Sequence, residues 1–369
     1  LEEVESFVGP QVLREVHLAG GGRAFNGIDE YVDLETPTLN GKHLRLKLAS
    51  FSALYSELKK LRIPIVGCDF FHTQDQASGL VPPEWRVTSV TGPAWLCADQ
   101  GHNWSFIQNS AFDANNGFLC DLASRLSHQI RACEWRVREL SNCYAKQLAS
   151  SLPRNYKESA LFLDGNTSQC YMAFQSFLID ACILRDYFCE FYAAVILGEN
   201  KIAKSSIASI GGLMSHFKKN PPNDAVGKEL HASANNGQWL CELGAYRNLV
   251  VHAAPLSQAG ESLYAVVRHF PLPQGEKLPA IKLPIPKNAS NLREARNNGD
   301  YFENVDFARF SNSVKDVENC NDALEYSHLC MQLLGALSES IAKISPLKPT
   351  IPIAKPLPGT LKITPLGDE

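Results

Sequence analysis

Residues 118–148 read FLCDLASRLSHQIRACEWRVRELSNCYAKQL, and this stretch decides the fold class. Phe118, Leu122, Leu126, Ile130, Cys133, Val137, Leu140, Tyr144 and Leu148 recur at steps of three and four. At about 100° per residue they share roughly a third of a helix circumference, which predicts one long amphipathic helix with a single buried face. Arg131, Arg138 and Lys146 fall on the opposite side and read as a solvated face.

The same period returns downstream. Cys170, Phe174, Phe177, Leu178, Ala181, Leu184, Phe188, Phe191, Tyr192 and Val195 define a second long helix, with Thr167 or Ser168 as its N-cap and Gly198 as its stop. A short helix is expected near Ile202 to Phe217. A third helix runs from a cap at Asn223 or Asp224 to about His252, before Pro255 ends it. The last runs from about Val314 to Ile344, with Val317, Leu324, Met331, Leu334, Leu337 and Ile341 turned inward. Helices with one apolar face each predict a bundle over residues 106–345. It carries an insertion at about 256–312, where a strand-like run from Leu263 to Phe270 precedes five prolines between Pro271 and Pro286, and a short hairpin with an extended loop is expected. Residues 1–105 read as a mixed α/β region of unassigned role, with a helix near Ala49 to Leu61 and a strand within Ile63 to Phe71. Residues 346–369 form a proline-rich tail that reads as extended. The fold class is therefore mainly α.

Composition narrows the function classes. The 369 residues are 45% apolar and 20% charged, with 35 basic against 39 acidic side chains and a formal charge of −4, so no global basicity advertises nucleic acid. The longest apolar run, Phe191 to Leu197, is far short of the roughly 20 residues a membrane-spanning helix needs, and no membrane partner is expected. The opening Leu-Glu-Glu-Val-Glu has neither a basic n-region nor an apolar stretch, so no secretory signal is read there. Eleven cysteines without CxxC spacing fall mostly on apolar helix positions, which reads as reduced core thiols in a cytoplasmic protein.

One string late in the third helix carries chemistry: Tyr246-Arg247-Asn248-Leu249-Val250-Val251-His252. On a helical wheel Val226, Leu230, Ala234, Leu240, Cys241, Gly244 and Val251 set an inner face that includes Asn248. Arg247 and His252 fall on its two rims, about 140° apart. A polar residue between two ionisable ones on an inward face points to a polar cleft, because buried amides and charges are costly without partners. The alternative is a solvated helix end, with His252 favoured by the C-terminal dipole.

Arg-Asn-Leu-Val-Val-His resembles the Arg-x4-6-His signature of the HEPN family of helical-bundle proteins, over roughly residues 118 to 345. The resemblance implies a metal-independent ribonuclease. The side chains suit it: an imidazole can move a proton at a 2′-hydroxyl or a 5′-oxygen, and a guanidinium can grip a phosphate at two points. Asn248 can orient His252 or bind the phosphate. One histidine serves poorly as base and acid in a single step, and a homodimer with a composite site, which the family also implies, would resolve this. Arg185, at the edge of the second helix's apolar arc, and Asp180, at its other rim, are supporting candidates. Asp186 and Glu190, which point away from that arc, are the other acidic candidates.

The reading is thus a HEPN-type endoribonuclease of a toxin or antiviral defence system, acting on RNA, homodimeric, and restrained by a regulatory protein or nucleotide ligand. No cofactor and no metal is expected. The alternative is a non-catalytic HEPN-like bundle that binds nucleotide or a protein partner, and a third is a structural oligomerisation bundle. Other signals read as structural. Gly20-Gly21-Gly22 lacks phosphate-loop spacing and reads as a turn, and His17, His43, His72 and His102 lack ligand spacing. The aromatic stretch of Phe70, Phe71, Trp85, Trp95, Trp104 and Phe106 reads as core.

Overall fold

The computed structural model describes residues 12–88, 99–198, 207–253, 264–287, 289–290, 294 and 320–349, with the backbone alone for Asp99, His252 and Ala253. Six short strands open it: β1 (Arg14–Leu18), β2 (Arg23–Asn26), β3 (Tyr31–Leu34), β4 (Arg45–Lys47), β5 (Ile65–Phe70) and β6 (Glu84–Val87). All neighbours are antiparallel, in the order β4-β3-β2-β1-β5-β6. Helices α1 (Leu54–Lys59) and α2 (Gln74–Ala77) sit in the connections, and a 3-10 turn at Phe51–Ala53 precedes α1 where one continuous helix was expected.

Strand alternation divides the faces of this sheet. Val16 and Leu18 of β1 join Ala24, Val32, Leu34, Leu54 and Leu58 in an apolar cluster on one side. Glu15 and His17 alternate with them and pair across the sheet with Asp69 and Gly67. The turn at Ala19–Gly21 confirms the glycine reading: Gly21 has φ +92°, and a Cβ there would lie 2.6 Å from the Tyr144 carbonyl oxygen.

The helices follow: α3 (Asp99–Asp113), α4 (Gly117–Ser151), α5 (Gly165–Ile196), α6 (Ile210–Lys219), α7 (Ala225–Ala234), α8 (Trp239–Asn248) and α9 (Ala323–Ala342). Every residue of the α4 stripe from Leu122 to Leu148 is buried; α5 buries its expected stripe from Cys170 to Tyr192 with Val195 half-buried, and α9 buries Leu324, Met331, Leu334, Leu337 and Ile341, while Val317 lies outside the described residues. Asp164 starts α5, three residues ahead of the expected cap, because its carboxylate accepts from the Asn166 and Thr167 amides and the Thr167 hydroxyl answers in a reciprocal box. Gly198, with φ +67°, lies just past its end as expected.

The third helix differs most from expectation. Asn235, Asn236 and Gly237 divide it into α7 and α8, with Gly237 at φ +78°, and the break resets the helical phase. Val251, expected inside, is therefore exposed. Directly after α8, Leu249–Ala253 winds as a π-helix. The expected stop at Pro255, the aromatic Trp95, the start of the last helix near Val314 and the tail beyond 349 lie outside the described residues.

The expected hairpin is present as β8 (Ala265–Pro271) and β9 (Lys277–Lys282), with β7 (Leu161–Phe162) on the outer edge of β8. Two-residue strands β10 (Pro284–Ile285) and β11 (Asn321–Asp322) pair just before α9. The hairpin touches both cores. Phe270, Leu272, Leu278 and Ala280 cover the sheet cluster, whereas Val267, Ile281, Leu283 and Ile285 pack among the helices. The whole is mixed α/β and mainly helical, and among the described residues no helix is long and apolar enough to cross a membrane.

Candidate functional site

The contact between α5 and α8 gathers four of the residues singled out in the sequence. Arg185 is buried on α5, and its Nη1 lies 2.7 Å from where a Cβ on Gly244 would stand. A side chain at this position of α8 would displace the guanidinium from where it stands. Asp186 accepts from Arg185 Nε at 3.0 Å and also from the Ile210 amide at 3.1 Å, which ties the start of α6 to the same place. One turn beyond Gly244, Arg247 donates from Nη1 to Asn248 Oδ1 at 2.9 Å. Burial pushes the Cys182 thiol up, while Arg185 and Arg247 both act to pull it down. Two guanidiniums thus stand within electrostatic reach of one buried atom.

The backbone at His252 belongs to the π-helix, and the His252 side chain lies outside the described residues. Nothing in the local sequence announced this turn.

Asp180 and Glu190 belong to the other side of α5, against α4. Asp180 Oδ2 accepts from Arg136 Nε at 2.7 Å, and Gln129 donates to Asp180 Oδ1 at 3.1 Å. Glu190 accepts both guanidinium nitrogens of Arg125, at 2.8 and 2.9 Å. These two carboxylates are structural partners of α4 in this arrangement. Glu325, on α9, pairs with Arg268 at 2.8 Å.

A second polar group was missed by sequence reasoning, between the sheet and α4. Arg138, expected in solvent, donates to Asp69 at 2.7 Å, because β5 brings that carboxylate under α4. Glu15 pairs with Arg23 at 2.9 Å, and His17 lies 3.3 Å from Asp69 Oδ2 with its other ring nitrogen 3.2 Å from the Ser141 hydroxyl. Burial first, then Arg23, pushes the His17 imidazole down to about 3. Among the described residues, Glu15, His17 and Asp69 form the one group whose ligand atoms could meet around a cation, all within 4.8 Å. Two arginines already balance the two carboxylates, so a divalent ion there would leave a buried excess of positive charge. The physics favours a buried ion network. The alternation in Arg14-Glu15-Val16-His17-Leu18 was the available signal, but its partners lie far along the chain.

Comparison with family models, with curated proteins and with solved structures finds no match to this chain.

Proposed function

We propose that this chain is a metal-independent endoribonuclease built on a HEPN-like bundle, with Arg247, Asn248 and His252 at the reacting phosphate and Arg185 as a second phosphate ligand. The observation that carries the reading is that Arg185 and Arg247 both act on the buried Cys182 thiol at the α5–α8 contact, with Arg185 set against Gly244. A guanidinium pair is a two-point host for a phosphodiester and stabilises the charge that grows on its oxygens. Asp186 holds Arg185 in place and partly offsets its charge until a phosphate arrives.

In the proposed reaction an RNA 2′-oxygen attacks the adjacent phosphorus and the bond to the 5′-oxygen breaks. A base takes the 2′-hydroxyl proton and an acid delivers one to the leaving oxygen, giving 2′,3′-cyclic phosphate and 5′-hydroxyl ends. His252 fills one role in each copy of the chain, so two copies supply both. A solvent-exposed apolar stripe on α5, Met172, Ile179 and Ile183, supports such pairing. On the 100° wheel it lies between the Asp180 side, which meets α4, and the Cys182 side, which meets α8.

The test is cleavage of a mixed RNA pool in EDTA by the wild type, Arg247→Ala and His252→Ala, each confirmed folded by circular dichroism. Cleavage by the wild type with a loss of at least about 100-fold in both variants is expected, the usual scale for an acid–base or charge-stabilising group. Equal cleavage by all three removes the string from the chemistry. Tight mononucleotide binding by the wild type without turnover selects the binding-bundle reading, for which the net charge of −4 is the favouring observation.

A further inference from the structure

A cavity of about 740 Å³ opens on the opposite side of α8, between the β8–β9 hairpin and the first turns of α9. This is the size of a site for a small organic molecule. Val266, Val267, Leu329 and Tyr326 of α9 line the wall together with Glu242 of α8. A smaller hollow of about 400 Å³, around Asn236, Cys241 and Ser290, borders the same Glu242.

Three of the four acidic side chains in the wall are already engaged. Glu325 pairs with Arg268 at 2.8 Å, and Glu158 with Lys277 at 2.9 Å. Asp322 accepts from the Leu324 and Glu325 amides at 3.0 Å and from the Leu283 amide and the Tyr144 hydroxyl at 3.1 Å. Glu242 is different. Its carboxylate has no hydrogen bond or ion pair among the described residues, and burial pushes its pKa up from the usual carboxylate value. Tyr326 is buried, its hydroxyl oxygen is sealed from the cavity beside the Cys330 thiol, and its ring is held edge-on by Tyr246 at 4.8 Å.

A half-buried carboxylate without a counter-ion is unfavourable in isolation, and Glu242 lines the cavity. The geometry points to a ligand-binding site for a small organic cation, a primary ammonium or guanidinium on a short apolar chain, received by Glu242. A carboxylate is acceptor-only, whereas an ammonium has three donors and no acceptor. The apolar wall takes the chain. The lining carries Glu158, Glu242, Asp322 and Glu325 against Arg268 and Lys282, which disfavours an anion. The site is separate from the α5–α8 contact and does not rest on the nuclease reading.

The experiment is isothermal titration of the full chain with agmatine, putrescine and spermidine as probes, in low and moderate salt. Binding of at least one probe with Kd below roughly 1 mM is expected, weakened at least about 10-fold by Glu242→Gln, a near-isosteric change that removes the charge alone. His252→Ala is expected to bind as the wild type does. No binding of any probe up to about 10 mM overturns the proposal, and so does wild-type affinity in Glu242→Gln.

Discussion

Glu134 is the one buried acidic side chain of α4, and burial pushes its carboxyl up to about 8 against a weaker opposing pull from Arg131. The folded protein keeps this proton at neutral pH, whereas an unfolded chain releases it near the ordinary glutamate value of about 4.3. Stability is therefore lost as pH rises between those values. Glu134→Gln needs no proton, so its advantage over the wild type is expected to grow across that window and reach the order of 3 kcal/mol near pH 8. Denaturant midpoints at several pH values check this, and parallel curves for the two proteins would sink it. His17 and His328 act on the acid side: burial holds them down to about 3 and about 4, so folding keeps them neutral while the unfolded chain protonates them below about 6.5. Both proteins should therefore share the same acid limb. None of this could be read from the sequence, because which face of α4 meets the sheet depends on contacts such as Asp69 to Arg138, 69 positions apart.

At the scale of elements, the long helices were legible and the ends of the third were not. The α4 and α5 stripes hold their period for nine or more apolar positions, and a pattern that long outweighs local exceptions. The break after α7 had a local cause in Asn235-Asn236-Gly237, three residues of turn chemistry inside an otherwise helical run. The π-turn had no such marker. Of the candidate residues, Arg185 was read as facing a cleft and lies at the α5–α8 contact, whereas Asp186, read as pointing away, binds Arg185 and the Ile210 amide, and Asp180 and Glu190 sit on the α4 side, since a helical wheel cannot say which neighbour occupies a rim. Gly244 is the element-scale test. Gly244→Ala raises helix propensity by up to about 1 kcal/mol, yet its methyl would stand 2.7 Å from Arg185 Nη1 and move that guanidinium. RNA cleavage in EDTA is expected to fall about 10-fold or more with the denaturant midpoint held or raised. Unchanged cleavage would exclude Arg185 from the proposed phosphate site.

At the scale of the whole molecule, the composite-site mechanism requires two copies. Sedimentation at micromolar concentration is expected to show a dimer, and Ile179→Glu, which places a charge in the exposed α5 stripe, is expected to give monomers with at least about 10-fold less cleavage. An active, strictly monomeric wild type would rule the mechanism out. The hairpin that covers the sheet has a further consequence, in the order of synthesis. The last strand of the six-stranded sheet ends at Val87, but Phe270, Leu272, Leu278 and Ala280, which close its apolar face, lie almost two hundred residues later. At translation speeds of roughly 5–20 residues per second, that face waits about 10–40 s on the ribosome for its cover. During this interval it is a natural surface for a chaperone to hold, and a chain truncated before residue 270 would carry it uncovered permanently.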